Sequence, residues 1–283
     1  MKIKKYFFIL IILLYSLSLL PQEVSAKNTV NKNKKDTPKI RILIVPGHDK
    51  ENYGSQFKKT REEKLNLLLA NHLFKLMKKN DHFETFITRD KLGYTPEFKN
   101  YFGKNEQAIQ DFITTLKTNY KELVLSEKIT TVRKVPHINA KPDVVQTLFG
   151  INKWVNENKI DLVLHIHLND YPRKKAKKPG KYTGFTVYYP EKQLINHEIS
   201  AKIAKHIFKN LKKKFKPSNY KKENGGLVED QLLIAMGAKQ SLNPKTAAVL
   251  IEYGYIYEPR FQKQKTLDQL AEVTYKSLAK YFK

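Results

Sequence analysis

The hydrophobic pattern alternates along the chain between short apolar runs and longer stretches with a helical period. Apolar runs rich in β-branched and aromatic residues predict strands at 41–45, 83–88, 161–168, 184–189 and 247–251. Apolar residues spaced three and four apart predict helices near 61–79, 144–156, 194–215 and 266–282. Strands and helices in this order indicate one α/β domain, with a mostly parallel twisted sheet of about six strands and helices on both faces.

The amino terminus has the order of a secretory signal peptide, predicted over residues 1–26. Lysines precede an apolar run from Phe7 to Leu20, and a small-residue pattern at 24–26 follows. The run is short for a membrane span, which needs about 20 residues. Retention as an uncleaved anchor stays open, and it is the only membrane contact that we expect. The sequence therefore predicts an exported protein.

Three further segments complete the predicted organisation. Residues 27–38 are polar and lysine-rich, which predicts a flexible linker. Residues 39–283 form the domain, and residues 91–142 are an extended insertion within it, with an aromatic cluster and a helix predicted over 105–116. A peripheral subdomain packed on the sheet edge is the favoured interpretation of this insertion, and a lid over the site is the alternative.

Composition limits the chemistry that the chain can perform. The absence of cysteine excludes disulfides, thiolate ligands and a cysteine nucleophile, so that any metal must bind His, Asp or Glu. The net charge of +26 favours anionic partners. Only six of the 53 basic residues are arginine, the residue on which specific nucleic-acid recognition most depends. We therefore expect no nucleic-acid partner.

Two candidate metal ligands lie around the first predicted strand and helix. His48 directly follows that strand and the turn at Pro46-Gly47. At 100° per residue, Glu62 falls on the line of leucines that the helix buries. A buried carboxylate is costly unless it is paired or binds a metal. The attraction of acids to a helix N-terminus explains Glu63 as well as Glu62, but it does not explain an acid on the buried line.

The strand predicted at 161–168 places His165, His167 and the following Asn169 on one face. One histidine of this pair is expected to be a hydrogen-bonded core residue. His167 lies nearer the carboxyl end of the strand, where sites form in parallel sheets, and is the better ligand candidate. His165 is then expected to support the ligand or to contact substrate.

Glu252 follows the last apolar run, at the carboxyl end of a predicted strand. It is either a buried salt-bridge acid or a general base, and we favour the second interpretation. With His48, Glu62 and His167 it completes a His–Glu–His set beside one further carboxylate. Catalytic zinc sites use three such ligands and keep the fourth position for water, which a neighbouring glutamate deprotonates. The residues therefore indicate zinc-dependent hydrolysis.

Six short motifs occur in one order along residues 40–283: Pro46-Gly47-His48, Glu62-x-x-x-Asn66-Leu67, Thr88-Arg89-Asp90, Ile166-His167-x-Asn169, Gly184-Phe185-x-Val187-Tyr188-Tyr189 and Val249-Leu250-Ile251-Glu252-x-Gly254-Tyr255. The set resembles that of the zinc-dependent N-acetylmuramoyl-L-alanine amidases. The resemblance implies His48, Glu62 and His167 as Zn²⁺ ligands and Glu252 as the catalytic base. It also implies hydrolysis of the amide bond between N-acetylmuramic acid and L-alanine in peptidoglycan, at the cell envelope, whether periplasmic or extracellular.

The chain departs from the usual family pattern around the metal. Val45 and Asp49 replace the first Asp and second Gly of Asp-Pro-Gly-His-Gly, while His165 and Tyr255 stand where Ser and Phe are usual. The presumed ligands are unaffected, but their surroundings are altered. The resemblance therefore implies the metal more firmly than the substrate preference.

Substrate-binding residues are predicted near the second histidine motif. Besides His165 and Asn169, the basic interval 170–183 offers Arg173 to the carboxylates of a stem peptide, although a solvated charge run explains that interval equally well. Peptidoglycan is the expected partner, with anionic wall polymers as a further one. Two alternatives stay open, namely another zinc peptidase on the same fold and a wall-binding protein without turnover.

Overall fold

A computed structural model describes residues 38–132, 140–173 and 175–283. The predicted signal peptide and nearly all of the predicted linker lie outside these residues. Within these three ranges, no helix combines the length and the apolar character that crossing a membrane requires.

The central sheet has six strands, in agreement with the predicted total of about six: β1 (Ile40–Pro46), β4 (Phe83–Ile87), β7 (Leu162–Asn169), β8 (Thr186–Pro190), β9 (Leu227–Asp230) and β10 (Ala247–Tyr255). The hydrophobic pattern located five of them and missed β9. Their order in space is β4-β1-β7-β10-β8-β9. All neighbouring pairs are parallel except β10 with β8. Two short hairpins lie outside this sheet, β2 (Gln56–Phe57) with β3 (Thr60–Arg61) and β5 (Arg89–Asp90) with β6 (Gly93–Tyr94).

Helices cover both faces of the sheet, which confirms the predicted α/β class. They are α1 (Glu62–Lys78), α2 (Pro96–Lys104), α3 (Glu106–Leu125), α4 (Pro142–Glu157), α5 (His197–Lys212) and α6 (Gln264–Tyr281). One core cluster joins the sheet to α1, α5 and α6 through Leu69, Ile207 and Leu270. A second cluster joins the opposite face to α2 and α4 through Phe98 and Trp154.

Strand β7 is buried on both faces, as expected for the middle of a parallel sheet. Leu162, Leu164 and Ile166 pack in the cluster of α1, α5 and α6, whereas Val163 packs in the opposite cluster. Alternation along the strand therefore assigns His165, His167 and Asn169 to the face of Val163. Because β7 and β10 end side by side, their last residues meet at one edge of the sheet.

The described residues of the predicted insertion, 91–132 and 140–142, include two complete helices. Residues 96–104 form α2, which the sequence pattern did not predict, and α3 continues to Leu125, beyond the predicted end at 116. The Phe98 ring lies 4.7 Å from that of Trp154 on α4. Ile109 and Ile113 of α3 pack against Phe149, also on α4. This part of the chain therefore rests on the helical layer.

Candidate metal centre

Three predicted ligands meet at the carboxyl end of the sheet. The ligand atoms of His48, Glu62 and His167 all lie within 4.8 Å of one another. Glu62 Oε1 is 3.2 Å from His48 Nε2 and 3.2 Å from His167 Nδ1. Ligand atoms around a tetrahedral zinc ion, with bonds of about 2.0–2.2 Å, are about 3.3 Å apart. The spacing therefore fits a shared metal ion.

Each ligand candidate is placed by the end of a regular element. His48 follows β1, and its backbone adopts the left-handed region with φ +64. His167 lies near the carboxyl end of β7, and Glu62 is the first residue of α1. Backbone amides hold the Glu62 carboxylate, since Ser55 N donates to Oε2 at 2.9 Å and Leu168 N donates to Oε1 at 3.2 Å.

Two glycines make room for these side chains. A Cβ atom at Gly47 would lie 2.2 to 2.5 Å from three atoms of the His167 ring. A Cβ atom at Gly54 would lie 2.5 Å from Glu62 Oε2 and 2.5 Å from His48 Cδ2, and Gly54 also has φ +69. Such contacts are far below van der Waals distance, so that both positions require glycine. The absence of a side chain at Gly47 and Gly54 thus leaves the space that the three ligand candidates occupy.

The three groups alter one another's protonation. Burial alone would raise the pKa of Glu62, but hydrogen bonds from His167 and His48 hold it well below its usual range. Burial opposes a charge on His48, yet its hydrogen bond to Glu62 brings its pKa above 6.5. Burial lowers the pKa of His167. Glu62 is thus ionised and His167 neutral near pH 7, the forms that bind metal.

Zinc affinity is expected to fall as the pH decreases below the raised pKa of His48. A proton on His48 competes with the metal, whereas the lowered pKa values of Glu62 and His167 move their competing protons to lower pH. The expected slope is about tenfold in affinity per pH unit, one proton being displaced. Titration with a competing chromophoric chelator from pH 5 to about 8 measures it. A pH-independent affinity would show that His48 is not a ligand.

Glu252 lies beside this group, on β10. Its backbone neighbours across the sheet are His167 on β7 and Thr186 on β8. Its Oε2 atom is buried and accepts no hydrogen bond from the described residues. Burial, together with the negative charges of Glu62 and Glu223, raises the pKa of Glu252 well above its usual range. A carboxylate with a raised pKa is the stronger base once it is ionised.

The two imidazoles are more exposed to solvent than the carboxylate. The exposed fraction of the side chain is 32% for His48 and 18% for His167, but 3% for Glu62. Solvent therefore reaches the two imidazoles, whereas the carboxylate is buried in the protein.

A family model described as N-acetylmuramoyl-L-alanine amidase matches residues 42–280. The chain belongs to that family. The match covers all the strands of the central sheet except the first two residues of β1. It includes His48, Glu62, His167 and Glu252, the ligand and base candidates. A comparison with curated protein sequences gives no match.

Solved structures of the amidase family share the fold at low identity. An N-acetylmuramoyl-L-alanine amidase from Clostridium difficile 630 is 18% identical, with a TM-score of 0.55, and the match covers 87% of this chain and 97% of that one. The apo form of Ami1 from Mycobacterium abscessus is 14% identical, with a TM-score of 0.56 over 86% and 99% of the two chains. The CwlD amidase from Clostridioides difficile, in complex with the GerS lipoprotein, is 17% identical, with a TM-score of 0.54 over 86% and 98%.

His165, an unusual residue in the family pattern, is in the core. It is 1% exposed, and its Nε2 atom has no hydrogen-bond partner among the described residues. Burial and the neighbouring His167 lower the pKa of His165 to about 3, so that it is neutral. Its predicted contact with substrate stays a prediction. Burial favours the alternative, a residue that supports His167.

Arg173 is held within the loop that follows β7. Its guanidinium donates to Asp170 at 2.8 Å and to the backbone oxygen of Gln56 at 2.9 Å. It also lies 5.1 Å from the ring centre of Phe57 and 5.8 Å from that of Tyr257. These contacts fasten the loop to the β2–β3 hairpin. The predicted role of Arg173 in substrate binding stays a prediction.

Two residues near the site, Glu223 and Arg89, were not assigned a role from the sequence. Asn169, a predicted substrate contact, donates a hydrogen bond to Glu223, a buried acid that the sequence pattern does not single out. The only local signal for Glu223 is the Asn224-Gly225-Gly226 turn that follows it. Arg89, known from the Thr-Arg-Asp motif alone, is 3% exposed and contacts the turn that precedes His48.

Arg89 fastens the turn that carries His48 to the start of α1. Its side chain donates to the backbone oxygens of Pro46 at 3.2 Å, Gly47 at 2.9 Å and Glu63 at 2.9 Å. Arg89→Met removes three hydrogen bonds to buried carbonyl oxygens, of which Gly47 O still accepts one from Asn66 Nδ2 at 3.1 Å. We expect the change to lower the free energy of unfolding by about 3 kcal/mol. Urea denaturation measures the change.

The matched control is Arg41→Met. Arg41 lies at the start of β1, is 34% exposed and pairs with Glu84 at 3.4 Å. Its loss is expected to cost less than about 1 kcal/mol, because exposed ion pairs contribute little. Equal losses from the two variants would contradict the role assigned to Arg89.

Proposed function

We propose that this chain is a zinc-dependent N-acetylmuramoyl-L-alanine amidase, which hydrolyses the amide bond between N-acetylmuramic acid and L-alanine in peptidoglycan. The observation that carries the proposal is the convergence of His48, Glu62 and His167 beside Glu252 in a chain of this family. His48, Glu62 and His167 are the proposed ligands, and Glu252 is the proposed catalytic base.

The residues fit zinc in their chemistry and in their packing. Two imidazole nitrogens and one carboxylate oxygen are a donor set that zinc prefers in catalytic sites. The space that Gly47 and Gly54 leave is filled by the ligand side chains themselves. Zinc held by these residues supplies a Lewis acid, which polarises the scissile carbonyl and lowers the pKa of water.

Glu252 is proposed to transfer the proton during hydrolysis. Water attacks the carbonyl carbon of the lactyl group of N-acetylmuramic acid, and the Glu252 carboxylate accepts its proton. Glu252 next delivers this proton to the amide nitrogen of L-alanine as the carbon–nitrogen bond breaks. The products are a free lactyl carboxylate and a stem peptide with a free amino terminus. The unpaired Oε2 atom of Glu252 leaves an oxygen available for this proton.

The surroundings of the site support a polymeric substrate outside the cell membrane. The partly exposed imidazoles of His48 and His167 are accessible from solvent. A net charge of +26 favours the anionic wall, including its anionic polymers, as a partner. Export through the amino-terminal signal would bring the protein to the cell envelope, periplasmic or extracellular.

Mass spectrometry of peptidoglycan digested by the zinc-loaded protein tests the proposal. Free stem peptides that begin with intact L-alanine are the expected products, and chelation is expected to stop their release until zinc is restored. His167→Ala, which removes one ligand, is expected to release none.

Other products would identify one of the two alternatives. Cleavage within the stem peptide would assign the chain to zinc peptidases on the same fold. No product from a folded protein with confirmed zinc would favour a wall-binding protein without turnover.

A further inference from the structure

Glu223 places a second buried carboxylate next to Glu252. It lies in a 3-10 segment, Lys221–Gly226, and is 4% exposed. Its carboxylate accepts hydrogen bonds from four side chains: Asn169 Nδ2, Thr186 Oγ1 at 2.9 Å, Tyr188 OH at 3.3 Å and Tyr255 OH at 3.0 Å. These donors come from β10, which carries Glu252, and from its two neighbours β7 and β8. Glu223 therefore connects the three strands.

A structural role alone does not explain a charge at this position. Among the described residues, Glu223 forms no ion pair, and only neutral donors compensate its burial. A buried acid close to a second acid is costly to retain, because the two charges repel each other. An apolar residue would avoid that repulsion but would leave the four donors without their acceptor. The carboxylate is therefore the group that orients these donors.

The donors of Glu223 are neighbours of the proposed active site. Asn169 is two residues beyond His167 on β7, and Thr186 is the backbone partner of Glu252 on β8. The Asn169 carboxamide donates through its NH2 group to Glu223. Its Oδ1 atom is therefore turned to the opposite side, and no described residue donates to it. An amide oxygen oriented in this way accepts a hydrogen bond from a peptide N–H.

We propose that Glu223 is a positioning residue, which fixes the Asn169 carboxamide so that its Oδ1 atom accepts a hydrogen bond from a peptide N–H of the substrate. This inference rests on the proposed function, because the stem peptide supplies that N–H group. Glu223 itself does not touch the substrate. Its effect is transmitted through Asn169.

Two substitutions at position 223 separate geometry from charge. In Glu223→Gln, one oxygen still accepts from Asn169, and the new NH2 group donates to Thr186 and Tyr255, whose hydroxyls are able to accept. In Glu223→Ala, the Asn169 carboxamide is free to rotate. We expect Glu223→Ala to lower kcat/KM by about 10- to 100-fold, since small misplacements cost that much, and Glu223→Gln to restore most of it.

Glu229→Ala is the matched control. Glu229 also accepts a hydrogen bond from a tyrosine, Tyr189 OH at 3.1 Å, but it is exposed on β9. Its kcat/KM is expected to equal that of the unchanged protein. Equal losses in Glu223→Gln and Glu223→Ala would overturn the inference, because the charge and not the geometry would then matter.

A double-mutant cycle tests transmission through Asn169. Asn169→Ala combined with Glu223→Ala is expected to be no less active than Asn169→Ala alone. Additive losses would show that Glu223 acts by another route and would overturn the inference.

Binding of a soluble muropeptide to the Glu252→Gln protein separates this inference from the proposed function. Glu223→Ala in that background is expected to raise Kd by about tenfold, the effect of one hydrogen bond, and Glu223→Gln is expected to leave it near the reference. If the unchanged protein releases no stem peptide, the proposed function fails, but these constants still decide the role of Glu223. A Kd unaffected by Glu223→Ala, or a reference that binds no muropeptide, would overturn it.

Discussion

Glu252→Gln is expected to lower kcat for release of stem peptides by about 10²- to 10⁴-fold, the contribution of a general base. Glutamine has nearly the same shape but cannot accept the proton of the attacking water. Because Glu252 is not one of the three proposed zinc ligands, the zinc content of the protein is expected to stay the same. Steady-state kinetics on a soluble muropeptide, with zinc measured by atomic absorption, checks both expectations.

The control for this change is Glu272→Gln. Glu272 is exposed on α6, where it pairs with Lys276 at 3.6 Å. Its replacement is expected to leave kcat unchanged, since exposed pairs contribute little. If Glu252→Gln kept the activity of that control, the base would have to be another group. If Glu252→Gln also lost its zinc, Glu252 would be a ligand and not a base.

Gly47→Ala is expected to lower zinc affinity by about 100-fold, at the upper end of what changes around a ligand cost, and to reduce activity with it. The added Cβ atom would lie 2.2 to 2.5 Å from three atoms of the His167 ring, so that the ring has to move. A competition titration against a chromophoric chelator measures the affinity. Circular dichroism shows whether the fold is retained.

Gly103→Ala provides a comparison with the same chemical change. A Cβ atom at Gly103, in α2, has no neighbour within 4 Å. Since alanine favours helix over glycine by about 1 kcal/mol, this variant is expected to be as stable as the unchanged protein or slightly more so, with full zinc affinity. Full zinc affinity in Gly47→Ala as well would mean that His167 binds no metal in the arrangement described.

Glu62 is predictable from the sequence because it lies on a line of buried leucines, and His167 because it is a polar residue at the carboxyl end of an apolar strand. The distance between them is not predictable in that way, since 105 residues separate them in the chain. They meet because β1 and β7 are neighbours in the sheet and α1 packs against both. Periodicity assigns residues to faces, but the order of strands brings the faces together.

Periodicity also gave an incorrect expectation at the start of α5. A line of residues at i+4 spacing predicts that Ile195 is buried with Ile203 and Ile207, yet Ile195 is 50% exposed. Four residues turn a helix by about 400°, so such a line drifts by about 40° per step. The helix also begins only at His197, which leaves Ile195 in the preceding turn.

Glu223 was beyond sequence-based prediction for a different reason. It follows two lysines and precedes Asn224 and Gly225, which have positive φ values of 45 and 69, so that its surroundings are those of an exposed turn. Its burial comes from strands β7, β8 and β10, which are distant in sequence. No local pattern reports contacts of that kind.

The left-handed backbone of His48 has a consequence for how this sequence changes over generations. A residue with a side chain costs about 1–2 kcal/mol in that region, a cost that glycine avoids. Drift without selection on the site would therefore favour glycine at position 48 and make the fold more stable. His48 carries that cost in this chain. Its presence in a descendant sequence is accordingly a sign that selection still maintains the centre, whereas glycine at this position would mark a lineage that has abandoned it.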